Sequence, residues 1–259
     1  MTFFSLRNAT VWQGDTPALK KVSIEFRQGE SVAILGPNGS GKSTLLKLLT
    51  GALRPAAHPE TSCELFGQRL WELDHLRKKI GVVMPEEVRL FHPQEKAFDV
   101  VLSALQGAYG ITTNMQFSSE EHEATRESIA KVGISLSENK AFSQFSSGQQ
   151  RRFLIARALV HQPSVIVLDE PTTALDFPSS IQLHQTLREV MAQGKTLIWV
   201  THHPSEIPPE IQRIVLLKDG QVFADGPPED VLTSTMLSEL YQTPLQVNRS
   251  HGWHQVTPF

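Results

Sequence analysis

A glycine-rich stretch between an apolar run and a helical segment constrains the fold of this chain more than any other feature. The sequence GPNGSGKST spans residues 36–44, directly after the apolar run SVAIL (31–35) and at the start of a helical segment at 42–50. This order matches the P-loop pattern G-x-x-x-x-G-K-[ST], which requires a strand before it and a helix after it. The stretch therefore predicts a strand–loop–helix unit that holds a nucleotide.

The residue types of this loop suit phosphate groups. Glycines let successive backbone N–H groups turn toward phosphate oxygens, and the start of a helix adds a favourable potential. Lys42 can bridge terminal phosphates, and Ser43 can hold Mg²⁺. The alternative is a glycine-rich turn that contains a lysine by chance. The predicted nucleotide-binding residues of the loop are Asn38, Gly39, Ser40, Gly41, Lys42, Ser43 and Thr44.

Four further apolar runs have the length and composition of buried strands. They are GVVM (81–84), SVIVL (164–168), TLIWV (196–200) and RIVLL (213–217). Helical segments such as 149–160 and 179–193 separate the runs, and strands that are apolar on both faces indicate a parallel sheet covered on both sides. We therefore predict an α/β protein of the P-loop NTPase type with a mainly parallel sheet. Alternation at 4–12 and 22–26 predicts an N-terminal antiparallel β subdomain.

The middle of the chain has a different pattern. Residues from about 88 to 145 contain no buried-strand run, and helical patterns occur at 97–107 and 119–132, which predicts an inserted helical subdomain. The tail from Pro244 is either a strand or a loose extension. The predicted organisation is a single domain over 1–259, with a catalytic core at 1–87 and 146–240, the helical subdomain at about 88–145 and a C-terminal extension at 241–259.

Composition narrows the possible partners and the compartment. Lys and Arg number 24 against 27 Asp and Glu, so the chain has no basic field of the kind that binds nucleic acid. The single cysteine, Cys63, excludes an intramolecular disulfide and suits a reducing cytoplasm. We see no signal-peptide pattern at the start and no apolar run of the roughly 20 residues that span a bilayer. We expect a soluble chain whose membrane role, if it has one, comes through a partner.

Two acidic residues follow a buried strand in SVIVLDEPTTALD. Asp169 and Glu170 stand at the strand end, where a second carboxylate is costly to bury without a cation. In a P-loop fold this position lies beside Ser43. We predict that Asp169 serves Mg²⁺ through a water and that Glu170 polarises an attacking water. The alternative is an ordinary acidic strand end that leads into a proline turn.

A polar turn precedes the apolar helix at 149–160. In QFSSGQQRR (144–152), Ser146 or Ser147 can cap the helix, and the free backbone N–H groups of its first turn point outward. Such a helix start binds anions.

Two histidines follow the strand TLIWV in VTHHP. His202 stands at the sheet edge that carries the other motifs, where it could contact a γ-phosphate or the attacking water. His203 is expected to face solvent or to bond locally. Lone histidines are usually structural, and adjacent histidines on a strand point to opposite faces, which argues against a shared metal.

The order of the motifs GPNGSGKST, SSGQ, VIVLDE, ALD and VTHH resembles the nucleotide-binding subunits of ATP-binding cassette (ABC) ATPases over about residues 3 to 240. The resemblance implies an ATP hydrolase that uses Mg²⁺ and forms a homodimer around two nucleotides. It also implies that the subunit powers transport through a separate integral membrane permease at the cytoplasmic face of the membrane. In such a dimer, Ser146, Gly148 and Gln149 would contact the γ-phosphate held by the second copy.

The resemblance assigns further roles. Asp176 would communicate across the dimer, and His202 would act as the switch histidine that stabilises charge together with Lys42. Trp12 is expected to stack on adenine, with Gln13 as the alternative for that place. The region around 88–107 would receive the membrane partner.

The chain departs from the family pattern at two places. The turn reads Phe-Ser-Ser-Gly-Gln in place of Leu-Ser-Gly-Gly-Gln, so Ser147 adds a side chain. Pro85 stands where the family has a glutamine, and a proline side chain cannot ligate Mg²⁺ or water. Glu86 or Glu87 could supply a carboxylate there instead, which would alter metal affinity.

Two functions other than transport remain open at this point. The Pro85 departure keeps a soluble ABC ATPase with a regulatory or assembly role as an alternative. A nucleotide-gated binding module with negligible turnover is the other.

Overall fold

The structure is a computed structural model that describes residues 1–135, 139–173 and 175–259. Its strands are β1 (Thr2–Gln13), β2 (Thr16–Arg27), β3 (Val32–Leu35), β4 (Ser62–Leu65), β5 (Ile80–Val83), β6 (Val165–Asp169), β7 (Thr196–Thr201), β8 (Arg213–Lys218), β9 (Gln221–Gly226), β10 (Leu245–Ser250) and β11 (Trp253–Pro258). Its helices are α1 (Lys42–Leu49), α2 (Leu73–Lys79), α3 (Ala97–Leu102), α4 (Ser119–Lys131), α5 (Ser147–Leu159), α6 (Phe177–Ala192), α7 (Pro228–Val231) and α8 (Ser234–Tyr241). Short 3₁₀ turns cover Pro85–Leu90, Ser103–Gln106, Phe142–Gln144 and Pro204–Glu206.

A six-stranded sheet forms the centre of the molecule, in the order β5-β6-β7-β3-β8-β9. All neighbouring pairs are parallel except β8 with β9. In the register, Leu35 pairs with Thr201, and Asp169 pairs with Val200. The three chain segments that follow β3, β6 and β7 therefore leave the sheet side by side at one edge, which brings the predicted motifs together. The mainly parallel sheet predicted from the apolar runs is confirmed.

The strands are apolar on both faces because each face contacts a separate core. Along β3, Ala33 and Leu35 belong to a core that includes α3, α5 and α6, whereas Val32 and Ile34 belong to a core shared with α1 and the N-terminal strands. All four side chains are fully buried. Successive side chains of a strand point to opposite faces, so a strand between two cores needs a continuous apolar run.

The N-terminal antiparallel unit is confirmed as a three-stranded sheet in the order β2-β1-β4. The hairpin between β8 and β9 turns at Asp219 and Gly220, whose φ angles are 51° and 78°. Two successive residues with positive φ match the twist of a tight hairpin. A side chain at Gly220 would also meet the Ala18 carbonyl at 2.8 Å, so this turn sits tightly on β2.

Helices dominate the region predicted to be an inserted subdomain. The pattern at 97–107 corresponds to α3 and the 3₁₀ turn after it, and the pattern at 119–132 corresponds to α4. The subdomain boundaries stay an interpretation, and part of the insert (136–138), like Ala174 of the ALD motif, lies outside the described residues. The tail forms a hairpin of β10 and β11, so the strand alternative holds for it. Within the described ranges, no helix has the length and hydropathy needed to cross a membrane.

Candidate functional site

A cavity of about 430 Å³ opens at the sheet edge where β3 and β6 end. Its walls contain most of the loop residues predicted to bind phosphate, together with the acidic end of β6. The lining residues are Gln13, Ala18, Asn38, Gly39, Gly41, Lys42, Ser43, Thr44, Pro85, Asp169 and Glu170. Residues far apart in the sequence therefore meet in one polar cavity, as the order of motifs predicted.

The first turn of α1 is open to a ligand. Gly41 precedes the helix with φ 102°, and a side chain at this position would meet Leu19 and the Ala18 carbonyl at 2.7 Å. Glycine is therefore required both by the backbone angle and by the close approach of β2. The helix start has no side-chain cap and no acidic residue in its first turn. Its free N–H groups and the positive end of its dipole are available to an anion in the cavity.

Lys42 places a buried cation at the bottom of this loop. Its Nζ donates to the carbonyls of Gly36 at 2.7 Å and Pro37 at 3.0 Å. Burial lowers the Lys42 pKa, while the charges of Glu170 and Asp169 act in the opposite direction. The ammonium is therefore fixed in place by the loop and faces two carboxylates across the cavity.

Ser40 behaves differently from the other predicted loop residues. Its hydroxyl is buried, has no hydrogen-bond partner among the described residues and does not line the cavity. A side chain at Gly36 would meet the Ser40 Oγ atom at 2.6 Å, so the hydroxyl is turned toward Gly36. A role of Ser40 in nucleotide binding remains a prediction.

The carboxyl group of Asp169 at the end of β6 is costly to ionise in the fold. The pKa of Asp169 is raised to about 6, mainly by burial and then by the charges of Glu170 and Glu86, and Lys42 and Arg151 offset only part of this. A buried acidic group with a raised pKa beside a second carboxylate is typical of a functional site.

The donors at this place fit Mg²⁺. The Ser43 hydroxyl and the carboxylates of Asp169 and Glu170 line the same cavity. In the described part of the chain, no three His, Cys, Asp or Glu residues form a group that could hold a metal on their own. Mg²⁺ commonly takes one or two carboxylates and completes its shell with waters and substrate phosphates. The donor set therefore suits Mg²⁺ that arrives with a nucleotide.

Replacing Asp169 with asparagine tests the cost of ionising this buried carboxyl group. The Asp169 pKa is about 6 in the fold against 3.8 for an unperturbed aspartate, so the folded chain binds this proton more tightly than the unfolded chain, and ionisation costs stability as pH rises through this window. We expect Asp169→Asn to increase the free energy of unfolding of the nucleotide-free protein at pH 7 by on the order of 1–3 kcal/mol. The gain should disappear below about pH 4, where aspartate is protonated in both states. Urea unfolding at the two pH values measures it, and a gain of equal size at both would contradict the assignment.

Arg151 anchors the acidic strand end from the neighbouring helix α5. The guanidinium is buried and donates to the carbonyl oxygens of Asp169 at 3.1 Å, Glu170 at 2.6 Å and Pro171 at 3.4 Å. Sequence reasoning missed this role, because Arg151 appeared there only as part of the stretch QFSSGQQRR. No local spacing relates it to a strand end 18 residues away.

Glu170, which lines the cavity, pairs with His202, which is not among the lining residues. His202 Nδ1 lies 2.7 Å from Glu170 Oε1, and because a carboxylate only accepts, Nδ1 carries the proton in this contact. The other carboxylate oxygen has one long contact of 3.4 Å with the Thr173 hydroxyl. The Glu170 backbone has φ 45°, which is uncommon for a residue other than glycine. His203 is exposed, and its ring centroid lies 3.8 Å from that of His202.

The polar turn before α5 lies outside this cavity. Ser146 caps the helix and accepts from the Gln149 N–H at 3.3 Å, while the Gln149 side chain accepts from the Ser146 N–H at 3.1 Å. The cap is therefore Ser146 and not Ser147. Ser146 and Ser147 are exposed, whereas Gly148 is buried near Leu175. The residues that line the cavity of the same chain include no member of this turn.

Three other predicted residues have distinct positions. Gln13 lines the cavity, whereas Trp12 is 56% exposed and is not among the lining residues. Asp176 is exposed and caps α6 by accepting from the Ser179 N–H at 2.9 Å. The adenine contact of Trp12 and the dimer role of Asp176 stay predictions.

The segment with Pro85 forms one wall of the cavity, so the proline occupies the place inferred for it. Of the two candidate carboxylates, Glu87 is bonded elsewhere, because its buried side chain accepts from the Met84 N–H at 3.1 Å and the Tyr109 hydroxyl at 3.0 Å. Glu86 is exposed, and its charge contributes to the raised pKa of Asp169. Of Glu86 and Glu87, Glu86 is therefore the one whose charge acts on the cavity.

A family model and the most similar relatives that we describe point to the same protein family. The family model described as "ABC transporter" matches residues 19–173, more than half of the chain. The chain is 30% identical over 267 residues to the ABC transporter ATP-binding protein YmeB of Lactococcus lactis, covering 100% of this chain and 99% of the relative. It is 34% identical over 229 residues to the energy-coupling factor transporter ATP-binding protein EcfA of Methanothermobacter thermautotrophicus, covering 86% of this chain and 70% of the relative.

Solved structures with the same fold include two informative cases. The dimeric post-hydrolysis structure of the ATP-binding cassette MJ0796, bound to ADP and Pi, matches with a TM-score of 0.72 and 30% identity over 86% of this chain and 98% of that chain. The structure of cbiO1 from Clostridium perfringens, part of the ABC transporter complex cbiONQ, matches with a TM-score of 0.76 and 26% identity over 92% of this chain and 93% of that chain.

Proposed function

The chain belongs to the ABC transporter family of ATP-binding subunits, and from that premise we propose that two copies close head to tail around two Mg-ATP in the cavities described above. The subunit binds and hydrolyses ATP to drive transport through a membrane partner. Of the three functions that the sequence left open, the relatives support ATP-driven transport.

The proposed chemistry assigns one role to each side chain at the sheet edge. Glu170 accepts a proton from a water whose oxygen attacks the γ-phosphorus, while the bond from that phosphorus to the β–γ bridging oxygen breaks and ADP leaves. Lys42 and His202 stabilise the negative charge on the transferred group. The 2.7 Å contact between Glu170 and His202 supports this assignment, because it joins the base to a second group at the same sheet edge.

Mg²⁺ would be held by Ser43 and Asp169, and when bound it neutralises charge on the β- and γ-phosphate oxygens. The raised pKa of Asp169 supports this part of the proposal, since the carboxyl group is buried and the nearby charges of Lys42 and Arg151 offset only part of that cost. Pro85 leaves the opposite wall without a ligand side chain, and Glu86 supplies only a nearby charge.

The position of the polar turn is the observation that carries the proposed dimer. The helix start at Ser146 and Ser147 is exposed and polar and has no part in the cavity of its own chain. The helix α5, which begins at this turn, is also tied to the end of β6, because Arg151 on α5 donates to the backbone carbonyls of Asp169 and Glu170. A nucleotide bound to a second copy would therefore engage a helix that is anchored to the hydrolytic site of the first copy.

We place the subunit at the cytoplasmic face of the membrane, with the region around 88–107 as the surface for an integral membrane permease. Exposed apolar side chains support this surface. Leu90 is 54% exposed and Tyr109 is 47% exposed. The two side chains are close to one another, because the Tyr109 ring lies 5.5 Å from the ring of Phe91, the residue next to Leu90, and contiguous apolar patches at a protein surface commonly mark sites of association.

The variant Ser147→Glu tests whether the polar turn of one copy contacts the nucleotide held by the other copy. Ser147 is the first residue of α5 and is exposed. A negative charge there stabilises the helix by roughly 0.3–1 kcal/mol, but it would repel the γ-phosphate held by the second copy. We expect Ser147→Glu to keep or raise the thermal stability of the free protein and to weaken ATP-driven dimerisation at least tenfold, as measured by sedimentation in a hydrolysis-deficient background.

The neutral variant Ser147→Gln is the matched control, because it has nearly the same size without the charge. It should dimerise more strongly than Ser147→Glu at every ATP concentration. Equal dimerisation of Ser147→Glu and the unchanged protein would show that the polar turn does not contact the nucleotide of the second copy.

A further inference from the structure

The segment that carries His202 is bonded to the C-terminal extension. Tyr241, the last residue of α8, donates its hydroxyl to the backbone carbonyl of His202 at 2.9 Å, across 39 positions of sequence. Burial raises the pKa of the Tyr241 hydroxyl far above its usual range, so the group remains a protonated donor throughout the physiological range.

The chain that follows His202 is also held at Glu206. The Glu206 backbone carbonyl lies 2.9 Å from His184 Nε2, and the Glu206 carboxylate accepts from the Thr201 hydroxyl at 3.2 Å. Thr201 in turn accepts from the His203 N–H at 3.0 Å. These contacts hold Thr201, His203 and Glu206 on either side of His202, and the Tyr241 bond holds the His202 carbonyl between them.

The C-terminal hairpin packs against the residue that holds Glu206. The His184 ring lies 5.2 Å from Trp199 of β7 and 5.1 Å from Trp253 of β11, measured between ring centroids. The hairpin is joined to α8 because Leu245 donates its N–H to the Ser238 hydroxyl at 2.8 Å. The extension and the segment after β7 are therefore one connected unit.

We propose that Tyr241 is a positioning residue for His202, and that the C-terminal extension sets the orientation of the imidazole against Glu170. The inference rests on the proposed role of His202 in hydrolysis. The bond acts on the backbone of His202, and by holding the peptide carbonyl it restricts the direction of the His202 Cα–Cβ bond, from which the imidazole extends toward Glu170. Without the hydroxyl, the His202 carbonyl loses its partner, and the imidazole is no longer restricted to the 2.7 Å contact with Glu170.

The test is Tyr241→Phe, which removes one oxygen atom and keeps the ring. A neutral hydrogen bond contributes about 1 kcal/mol, which corresponds to roughly fivefold in rate. We expect kcat for ATP hydrolysis to fall about fivefold, with KM and the affinity for ATP unchanged within about twofold. A general loss of structure would change affinity and thermal stability together, so the separation of kcat from KM distinguishes positioning from unfolding.

A spectroscopic measurement reads the orientation directly. The chain has ten histidines, and in protein labelled with ¹³C-histidine the His202 signal is identified by its loss in His202→Ala. We expect Tyr241→Phe to shift or broaden this signal in the nucleotide-free protein. Histidines remote from the C-terminal extension, such as His58 and His92, should keep their signals.

Thr243→Val is the matched control. The Thr243 side chain is exposed and its hydroxyl donates to the Tyr241 carbonyl at 3.2 Å, so the variant removes a hydroxyl from the same turn without touching the bond to His202. It should leave both kcat and the His202 signal unchanged. Tyr241→Met, which keeps an apolar side chain, should reproduce the effects of Tyr241→Phe and gives a second reading if the phenylalanine variant is unstable.

The outcomes separate this inference from the proposed function. Normal hydrolysis by His202→Ala would overturn the role of His202. Slow hydrolysis by His202→Ala, together with a Tyr241→Phe variant whose kcat and His202 signal match the unchanged protein, would overturn the positioning role alone.

Discussion

Replacing Glu170 with glutamine is expected to lower ATP turnover by 10²- to 10⁴-fold, which is the usual contribution of a general base. Glutamine keeps the shape of the side chain and can still accept from His202 Nδ1, which lies 2.7 Å from Oε1 in the present structure. It cannot take a proton from water. Binding should persist, because the phosphate loop and the Ser43 hydroxyl are untouched, and the variant should accumulate as an ATP-bound dimer.

Steady-state phosphate release measures the loss of turnover, and light scattering with and without ATP measures the dimer. Glu189→Gln is the matched control, since Glu189 is exposed on α6 and does not line the cavity between the phosphate loop and the end of β6. It makes the same chemical change away from the site and should leave both readings unchanged. Normal turnover by Glu170→Gln would show that another group activates the water.

The effect on the dimer has a further physical reason. Removing one carboxylate also reduces the negative charge that raises the pKa of Asp169. The cavity of Glu170→Gln is therefore less repulsive toward a triphosphate than that of the unchanged protein. ATP affinity should be equal or slightly higher, and a marked loss of affinity would contradict this electrostatic account.

The sheet and its functional edge could be predicted because both depend on local patterns. Apolar runs such as 164–168 and 196–200 mark strands that contact a core on each face, and parallel strands place their carboxyl ends at one edge. Once the strands were identified, the meeting of Lys42, Asp169 and Glu170 in one cavity followed from the topology.

Contacts between distant segments could not be predicted in the same way. The bonds from Arg151 to the end of β6 and from Tyr241 to His202 join a side chain to a backbone carbonyl. A carbonyl is present at every residue, so such a bond leaves no pattern of residue types in the sequence. Glu87 shows a second limit: its place two residues after Pro85 suggested a cavity carboxylate, whereas its side chain bonds to the hydroxyl of Tyr109, 22 positions away.

The tail shows a related limit. The strands β10 and β11 are short, and most of their residues are half-buried or exposed. Neither shows the sustained alternation or the continuous apolar run that predicts a strand from sequence. Their stability comes from pairing with each other and from packing on α8 and the core, so a reading of local pattern left strand and loose extension as alternatives.

Replacing Lys42 with alanine is expected to weaken ATP binding by one to two orders of magnitude, because a hydrogen bond to a charged group contributes about 1.5–3 kcal/mol. The loss has two sources. The direct contact between the Lys42 ammonium and the phosphate disappears. In addition, Asp169 and Glu170 lose the neighbouring cation that partly neutralises them in the unchanged protein. The cavity then presents two incompletely neutralised carboxylates to a polyanion.

Isothermal titration with ATP measures this loss, and Lys47→Ala is the matched control, because Lys47 is exposed on the same helix α1 and does not line the cavity. The charge argument also gives a salt dependence. Since the added repulsion in Lys42→Ala is electrostatic, high salt should reduce part of the difference between the variant and the unchanged protein, whereas a loss caused by collapse of the loop would not respond. ATP affinity equal to that of the unchanged protein would mean that the loop does not hold the triphosphate through Lys42.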